Sequence, residues 1–548
     1  MGIYLNPGKE RYEIALNSEI YVDKTLAIGY LNSVVNTEQR YICVSRPRRF
    51  GKTMAANMIC AYYDRSIDSR GVFEKLDIST AGSGIRKWDL YLNQFDVIHI
   101  VMTDFVKKTK SVEESLEKMT SRILGELSSI YPDEEYDTSD LAFSLEKHYR
   151  KSGTQFVFVI DEWDAVFRIK KDDKEGQVAY LDYLRDCLKD KEYIALAYMT
   201  GILPIKKYGE HSALNMFDEY SMVSPGAMAE YFGFTEEEVK KLCEHYKTDY
   251  GRIKEWYDGY ELLSRSIRHS SGSVKIEELK RVNIYSPKSV VDALRNGKLD
   301  NYWNATETFE ALKLHISRSE IGLKESVSAM MSGERIRINI KKYQNDMNSF
   351  ASADDVLTML IHLGYLGYDA DQEKAFIPNK EVMDEYRNSV DGDSSYDALF
   401  QIISESQRLL EATWNSDEDL VAELIERAHR NAAKQTYNNE AALSYSIRLA
   451  YIAALKYYTI IPELDSGDGF ADLAFIPNPH YPDKPALVVE LKWNKKADTA
   501  LEQIKKNHYP DRLEHYKGNL ILVGINYDKD LKSKSRKSKH HTCIIERA

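Results

Sequence analysis

The chain has 548 residues, 43% of them hydrophobic and 29% charged, with a formal net charge of −12. That length exceeds one hydrophobic core and predicts about three domains, while the composition excludes fibrous and disordered classes. No apolar run is long enough to span a bilayer, Met1-Gly-Ile-Tyr-Leu-Asn-Pro7 has no signal-peptide pattern, and Cys43, Cys60, Cys187, Cys243 and Cys543 show no paired spacing, so the expectation is a cytoplasmic protein with reduced thiols. The acidic balance does not exclude nucleic acid, because binding follows local patches and not totals.

In chain order, the first informative segment is Arg40-Tyr-Ile-Cys-Val-Ser45, a predicted buried strand. It runs into Arg46-Pro-Arg-Arg-Phe-Gly-Lys-Thr53 and an apolar helix from Met54 to Tyr62. Strand, loop, Gly-Lys-Thr and helix is an arrangement that cradles phosphates on backbone amides and a helix N-terminus. Here Gly51 and its neighbouring amides close on the phosphates, Lys52 reaches the terminal ones and Thr53 holds Mg²⁺. Arg46, Arg48 and Arg49 concentrate further charge in the loop, with Arg46 standing where G-x-x-x-x-G-K-[ST] has its first glycine. Phe156-Val-Phe-Val-Ile-Asp-Glu162 is a continuous apolar strand ending in Asp-Glu. In that pattern Asp161 supports the metal and Glu162 polarises an attacking water. A third strand, Tyr193 to Gly201, puts Thr200 where a polar residue senses the γ-phosphate. Together the segments predict an ATP site.

Residues 262–283 are polar and read as a loop insertion, and residues 286–350 read as mostly helical. Residues 353–387 follow the helix, strand, turn, strand, helix order of a winged helix, a module that either packs on a nucleotide domain or contacts DNA. Asn388-Ser-Val-Asp-Gly-Asp-Ser-Ser395 reads as a boundary. The expected domains are therefore 1–285, 286–387 and 388–548. Most of the 38 tyrosines fall at core spacing, with Trp163 and Tyr257-Asp-Gly-Tyr260 as possible stacking exceptions.

Near the C-terminus, Gly469 to Ile476 and Ala486 to Trp493 read as strands joined by a turn-rich hairpin connection. Glu490 and Lys492 share a strand face, and Asp472 from the neighbouring strand can meet Glu490 around one divalent cation. Oxygen ligands suit Mg²⁺ or Mn²⁺, and Lys492 can hold or help deprotonate an attacking water. Acid-x-Lys alone is commonly a solvated edge, so the neighbours decide. An amphipathic helix from Asn438 to Tyr458 carries Glu440 near its start, and a helix from Asp498 to Tyr509 presents Gln503 and Tyr509 to the strands. A further strand follows at Asn519 to Ile525. The basic stretch Lys532 to His541 is either a solvated hairpin tip or a finger that grips phosphates.

This order of elements is similar to the core of the PD-(D/E)XK nuclease superfamily, with Glu440, Asp472, Glu490, Lys492 and Gln503 on its motif positions. Over nearly the whole chain, a set of motifs resembles the AAA-ATPase-like family of bacterial proteins that end in such a domain. They are Tyr21-Val-Asp-Lys-Thr25, Arg46 to Thr53, Ile160-Asp-Glu-Trp-Asp164, Trp256-Tyr-Asp-Gly-Tyr260, Ile284 to Ser289, Leu363-Gly-Tyr-Leu366 and Ile377 to Val382. In that family arginine replaces the first loop glycine, whereas its frequent Gly-Arg before the metal-binding Asp is Gly469-Phe470 here. The resemblance implies an α/β multidomain chain: a P-loop NTPase with a parallel sheet between helices, a helical and winged-helix middle, and a C-terminal restriction-endonuclease-like domain. It implies an ATP-hydrolysing module that gates a Mg²⁺-dependent nuclease. The expected partners are ATP and nucleic acid, DNA ahead of RNA, with no membrane and a homo-oligomer left open. Bacterial defence is a setting that such a fusion fits. A non-catalytic nucleotide-controlled switch or scaffold is the alternative reading.

Overall fold

The computed structural model describes residues 2–548 apart from 81–87, 206–213, 271–272, 304–311, 314–315, 317–321, 332, 344–349, 351, 391–396, 433–446, 449, 466–469, 479–480, 495–496, 498, 501, 503–512, 514–515, 517 and 529–539. Four largely apolar runs and a short polar edge strand form a parallel sheet: Tyr41–Ser45 (β1), Asp96–Val101 (β2), Phe156–Asp161 (β3), Ile194–Gly201 (β4) and the edge strand Asp218–Tyr220 (β5). Their order is β2-β3-β4-β1-β5, so β4 separates the loop-bearing β1 from the Asp-Glu strand β3. Strands buried on both faces need apolar residues at successive positions. Ile42, Val44, Val157 and Val159 pack on the face covered by the helix Lys52–Tyr63. Cys43, Phe158 and Ile160 pack on the other face, under Val112–Ile130 and Lys174–Leu188.

Contacts divide the chain into two units, residues 1–307 with 337–382, and residues 308–336 with 383–548. Within the first unit, the segment expected as a loop insertion is instead a long hairpin. Tyr260–Ser270 (β7) and Ser273–Tyr285 (β8) pair antiparallel, and Phe234–Thr235 (β6) adds to β8. Its polar composition hid it, because a strand is recognised in sequence by apolar alternation.

After a two-residue strand, β9 (Ile336–Arg337), the winged-helix order is present. The helix Ala353–Leu363 leads to an antiparallel pair, Gly367–Asp369 (β10) and Lys374–Phe376 (β11), and then to the helix Lys380–Val390. The expected boundary at 388–395 therefore begins inside a helix. Up to residue 382 this module packs on the nucleotide module. The Tyr260 hydroxyl donates to the Gly364 carbonyl at 2.6 Å. Buried Glu381 accepts from Ser289 Oγ, Tyr302 N and Trp303 N, each at 2.8 Å. These contacts explain why the motifs around Tyr260, Ser289, Gly364 and Glu381 occur together: they are parts of one junction.

The second unit contains a mixed sheet in the order β12-β13-β14-β15-β16, made of Tyr458–Asp465, Phe470–Pro477, Ala486–Trp493, Leu520–Tyr527 and His541–Arg547. Only β14 and β15 run parallel, and helical residues Ala497, Thr499 and Ala500 lie on the connection between them. Ala474, Val488 and Leu522 face a core that includes Leu513. On the opposite face, Phe475 packs at a tilt against Tyr451 and His541 bonds to Glu426 of the helix Glu418–Ala432. All five cysteines are buried and unpaired. Among the described residues no helix is long and apolar enough to cross a membrane.

Gly364 ends the helix Ala353–Leu363 at a φ of +88°, and a Cβ there would lie 2.8 Å from Pro47 Cβ and 2.9 Å from the Trp303 ring. Gly364→Ala is therefore expected to destabilise the first unit by roughly 1–3 kcal/mol. Thermal unfolding followed by scanning fluorimetry checks this; an unshifted transition would contradict the packing.

Candidate functional site

The first unit holds a cavity of about 1170 Å³ beyond the C-terminal ends of the parallel strands, where ligands of such sheets bind. Its wall includes the loop from Arg48 to Ala55, Glu162 and Arg168 after β3, Gly201 at the end of β4, and Lys288 and Val291 of the helix Pro287–Asn296. Gly51 caps the helix Lys52–Tyr63 in a left-handed conformation (φ 86°), which directs the first amides of the helix into the loop. Lys52 is buried, and its Nζ donates to the carbonyls of Arg46 at 2.9 Å and Pro47 at 2.7 Å. Burial pushes its pKa down to about 8. The charges of Asp164, Asp161 and Glu162 oppose that effect, and a phosphate would add a direct counter-ion to an ammonium otherwise bonded to carbonyls.

Thr53 Oγ1 donates to Asp161 Oδ2 at 2.7 Å, so the two side chains proposed for the metal already meet. Burial raises the Asp161 pKa, with the Thr53 bond opposing. The Glu162 backbone is left-handed (φ 53°) and donates its N–H to Asp161 Oδ1 at 2.9 Å, while its side chain is 38% exposed in the cavity wall. Thr200 is buried beside Asp161 in the β3–β4 register, one residue before Gly201 in the wall.

One expected phosphate contact lies elsewhere. The Arg46 guanidinium is fully buried and donates to the carbonyls of Ser45, Tyr220 and Met228 at 2.9–3.1 Å, over the Phe232 ring. It points into the body and braces the loop through carbonyls on the β5 side. Arg48 and Arg49 do line the cavity, and Arg49 Nη1 also donates to the Tyr302 carbonyl at 3.1 Å. Trp163, Tyr257 and Tyr260 are buried and offer no stacking surface.

Sequence reasoning passed over two residues of this cavity. Lys24 Nζ donates to both carboxylate oxygens of Glu238 at 2.7 Å and to the Glu230 carbonyl at 2.8 Å, and it joins the N-terminal segment to the helix Glu236–His245. Arg168 pairs with Asp164 at 3.0 Å, an i,i+4 spacing that could have been read directly after the Asp-Glu strand.

In the second unit, the antiparallel register that pairs Leu473 with Val489 sets Asp472 opposite Glu490, and the parallel register sets Gly524 beside Glu490. Asp472, Glu490 and Lys492 thus share one face, which continues from the apolar row Ala474, Val488 and Leu522. Gly524 contributes no side chain to the acidic row. Asp472 Oδ2 accepts the Leu491 N–H at 2.7 Å, and Lys492 Nζ donates to Glu490 Oε1 at 2.7 Å. Burial raises the Glu490 pKa, with the Lys492 hydrogen bond opposing and the Asp472 charge reinforcing the rise. A buried Glu490 beside a half-buried Asp472 and an ammonium is a fit for a divalent cation. Among the described residues no third carboxylate or histidine joins it. Glu440, Gln503 and Tyr509 lie outside the described residues, as does most of the basic stretch before His541.

A parallel sheet with a loop–helix phosphate site defines the first unit as a P-loop NTPase fold, and the second unit has the mixed sheet of a nuclease core. Residues 9–209 match the family described as Predicted AAA-ATPase, and residues 439–537 match the PD-(D/E)XK nuclease superfamily; the chain carries both domains. Solved structures with similarity include the Aeropyrum pernix ORC2 protein in ADPNP–ADP complexes, at 10% identity and TM-score 0.27, over 68% of this chain and 96% of that one. Cdc6p from Pyrobaculum aerophilum is similar at 10% identity and TM-score 0.22, with the same shares. The Aeropyrum pernix ORC1 protein in complex with DNA is similar at 9% identity and TM-score 0.23, over 88% of this chain and 96% of that one. No curated protein matches the sequence.

Lys52→Ala removes the buried cation of the loop. It is expected to weaken ATP binding by roughly 100-fold, the scale of one charge-assisted contact. Calorimetric titration gives the measurement, and equal affinities would argue against a working phosphate loop.

Proposed function

We propose that the chain is a nucleotide-regulated, divalent-metal-dependent nuclease that hydrolyses phosphodiesters of nucleic acid, DNA before RNA. The observation that carries this reading is the shared face of Asp472, Glu490 and Lys492, with the ammonium 2.7 Å from Glu490. Asp472 and Glu490 would hold Mg²⁺ or Mn²⁺, which when bound supplies Lewis-acid polarisation and a more acidic water. Lys492 Nζ, anchored by Glu490, would orient the attacking water and offset the charge that builds on the phosphate oxygens. Glu490 fixes that ammonium, and the Leu491 N–H fixes Asp472, so both carboxylates are oriented before substrate arrives. In the first unit Lys52 would bind the terminal phosphates of ATP, Thr53 and Asp161 would support the metal, and Glu162 would polarise water. Defence against foreign DNA is the setting that such a fusion fits.

Purified protein with single- and double-stranded DNA and RNA, with Mg²⁺ or Mn²⁺, tests the reading. Asp472→Ala or Glu490→Ala is expected to abolish cleavage while ATP binding persists. Lys492→Ala should retain metal binding and slow cleavage by about 10²–10⁴-fold. Unchanged cleavage in all three variants would sink the assignment.

Glu162→Gln is nearly isosteric, so it should keep ATP bound while slowing its hydrolysis. With ATP it is expected to shift the cleavage rate or the sedimentation profile by a coupling of about 1–3 kcal/mol, or 5–150-fold. If neither responds to ATP in wild type or variant, the two domains act independently.

A further inference from the structure

The helix after β3 presents a cation that none of the motifs above uses. Arg168 lies in the short helix Ala165–Ile169 and lines the cavity with Glu162, its side chain 13% exposed. Asp164 holds it through Nε at 3.0 Å and Nη2 at 3.4 Å. Asp164 is itself fully buried and accepts the Ile202 and Leu203 N–H groups at 3.2 and 3.1 Å, which anchors the guanidinium to the exit of β4. Gly201 makes room for this anchor, since a Cβ there would fall 2.8 Å from Asp164 Oδ1 and from the Trp163 ring. The other side of the guanidinium looks into the cavity. Nη2 stands 3.8 Å from Glu162 Oε2, too far for a direct hydrogen bond, and Nη1 has no hydrogen-bond partner among the described residues.

We propose that Arg168 contacts the terminal phosphate of bound ATP and distinguishes ATP from ADP. The proposal rests on the reading of this cavity as a nucleotide site. A triphosphate seated on the loop amides and Lys52 directs its last phosphate toward Glu162, which has to be near that phosphate to polarise the water that attacks it. A carboxylate so placed repels the polyanion. Arg168 is the cation set beside it, already oriented by a buried acid, and its unused donors match the oxygens of a phosphate. The guanidinium neighbours Glu162, and donors turned to the γ-phosphate would leave Glu162 to the water. ADP ends one phosphate short of this contact.

Calorimetry with MgADP and with a magnesium complex of a non-hydrolysable ATP analogue tests the assignment in wild type, Arg168→Ala and Arg168→Lys. Arg168→Ala is expected to lose roughly 10- to 100-fold in affinity for the analogue, the scale of one charge-assisted contact, with ADP affinity changed by less than about 3-fold. Retained ADP binding also reports that the variant is folded. Arg168→Lys keeps a partner for buried Asp164 and should fall between the two. Equal losses for both nucleotides in Arg168→Lys, or no loss for the analogue in either variant, would overturn the assignment while the nucleotide site stands. Failure of the wild type to bind either nucleotide would overturn the site and the assignment together.

Discussion

The phosphate loop has to keep an ammonium out of water, and much of the first unit is arranged around that requirement. Lys52 Nζ sits against two loop carbonyls, and burial draws its pKa down to about 8 against the opposing charges of Asp164 and Asp161, so it stays mostly charged near neutrality. A buried cation is tolerated when neighbouring dipoles are fixed in place. The loop supplying those dipoles is tied to β5 by Arg46 and backed at Pro47 by Gly364 of the winged-helix-like module. Nearby acids, Asp161 and Asp164, are in turn committed to Thr53 and Arg168. The charges of the cavity are thus distributed before any ligand enters.

The second unit solves a similar problem with the signs reversed. There two carboxylates are crowded on one sheet face, and burial raises the Glu490 pKa. Lys492 lies two residues along the same strand and compensates one of them directly. The apolar row preceding them on that face anchors the sheet to its covering core, and the polar row begins where Gly524 removes a side chain from the pattern.

The parallel strands were legible in the amino-acid sequence because burial on both faces demands unbroken apolar runs, and Phe156 to Ile160 leaves little choice. Asp472 and Glu490 were also legible as partners, since a hairpin with period-2 alternation puts them on one face. Arg46 was not. Three arginines in eight residues look alike in sequence, and only the carbonyls around each decide which turns inward and which faces the cavity. The β7–β8 hairpin escaped for a different reason: Ser264 to Ser273 has Ile267 as its one large apolar residue, and strand pairing through the backbone leaves no mark on composition. Arg168 carried a readable i,i+4 signal with Asp164, but such pairs are common on solvated helices. Its meaning comes from the burial of Asp164, a tertiary property.

Arg46 at the position of a loop glycine has a consequence for the energetics of ligand capture. A glycine there would leave the loop free to sample many backbone shapes, and a ligand would have to select one against that entropy. The guanidinium instead pins the loop through Ser45, Tyr220 and Met228. A loop immobilised in advance has little disorder left to lose, so association opposes a smaller ordering cost. The same immobility means that the loop itself is a poor reporter of occupancy: any signal of a bound ligand has to be carried by side chains at the cavity wall, not by the backbone that cradles it.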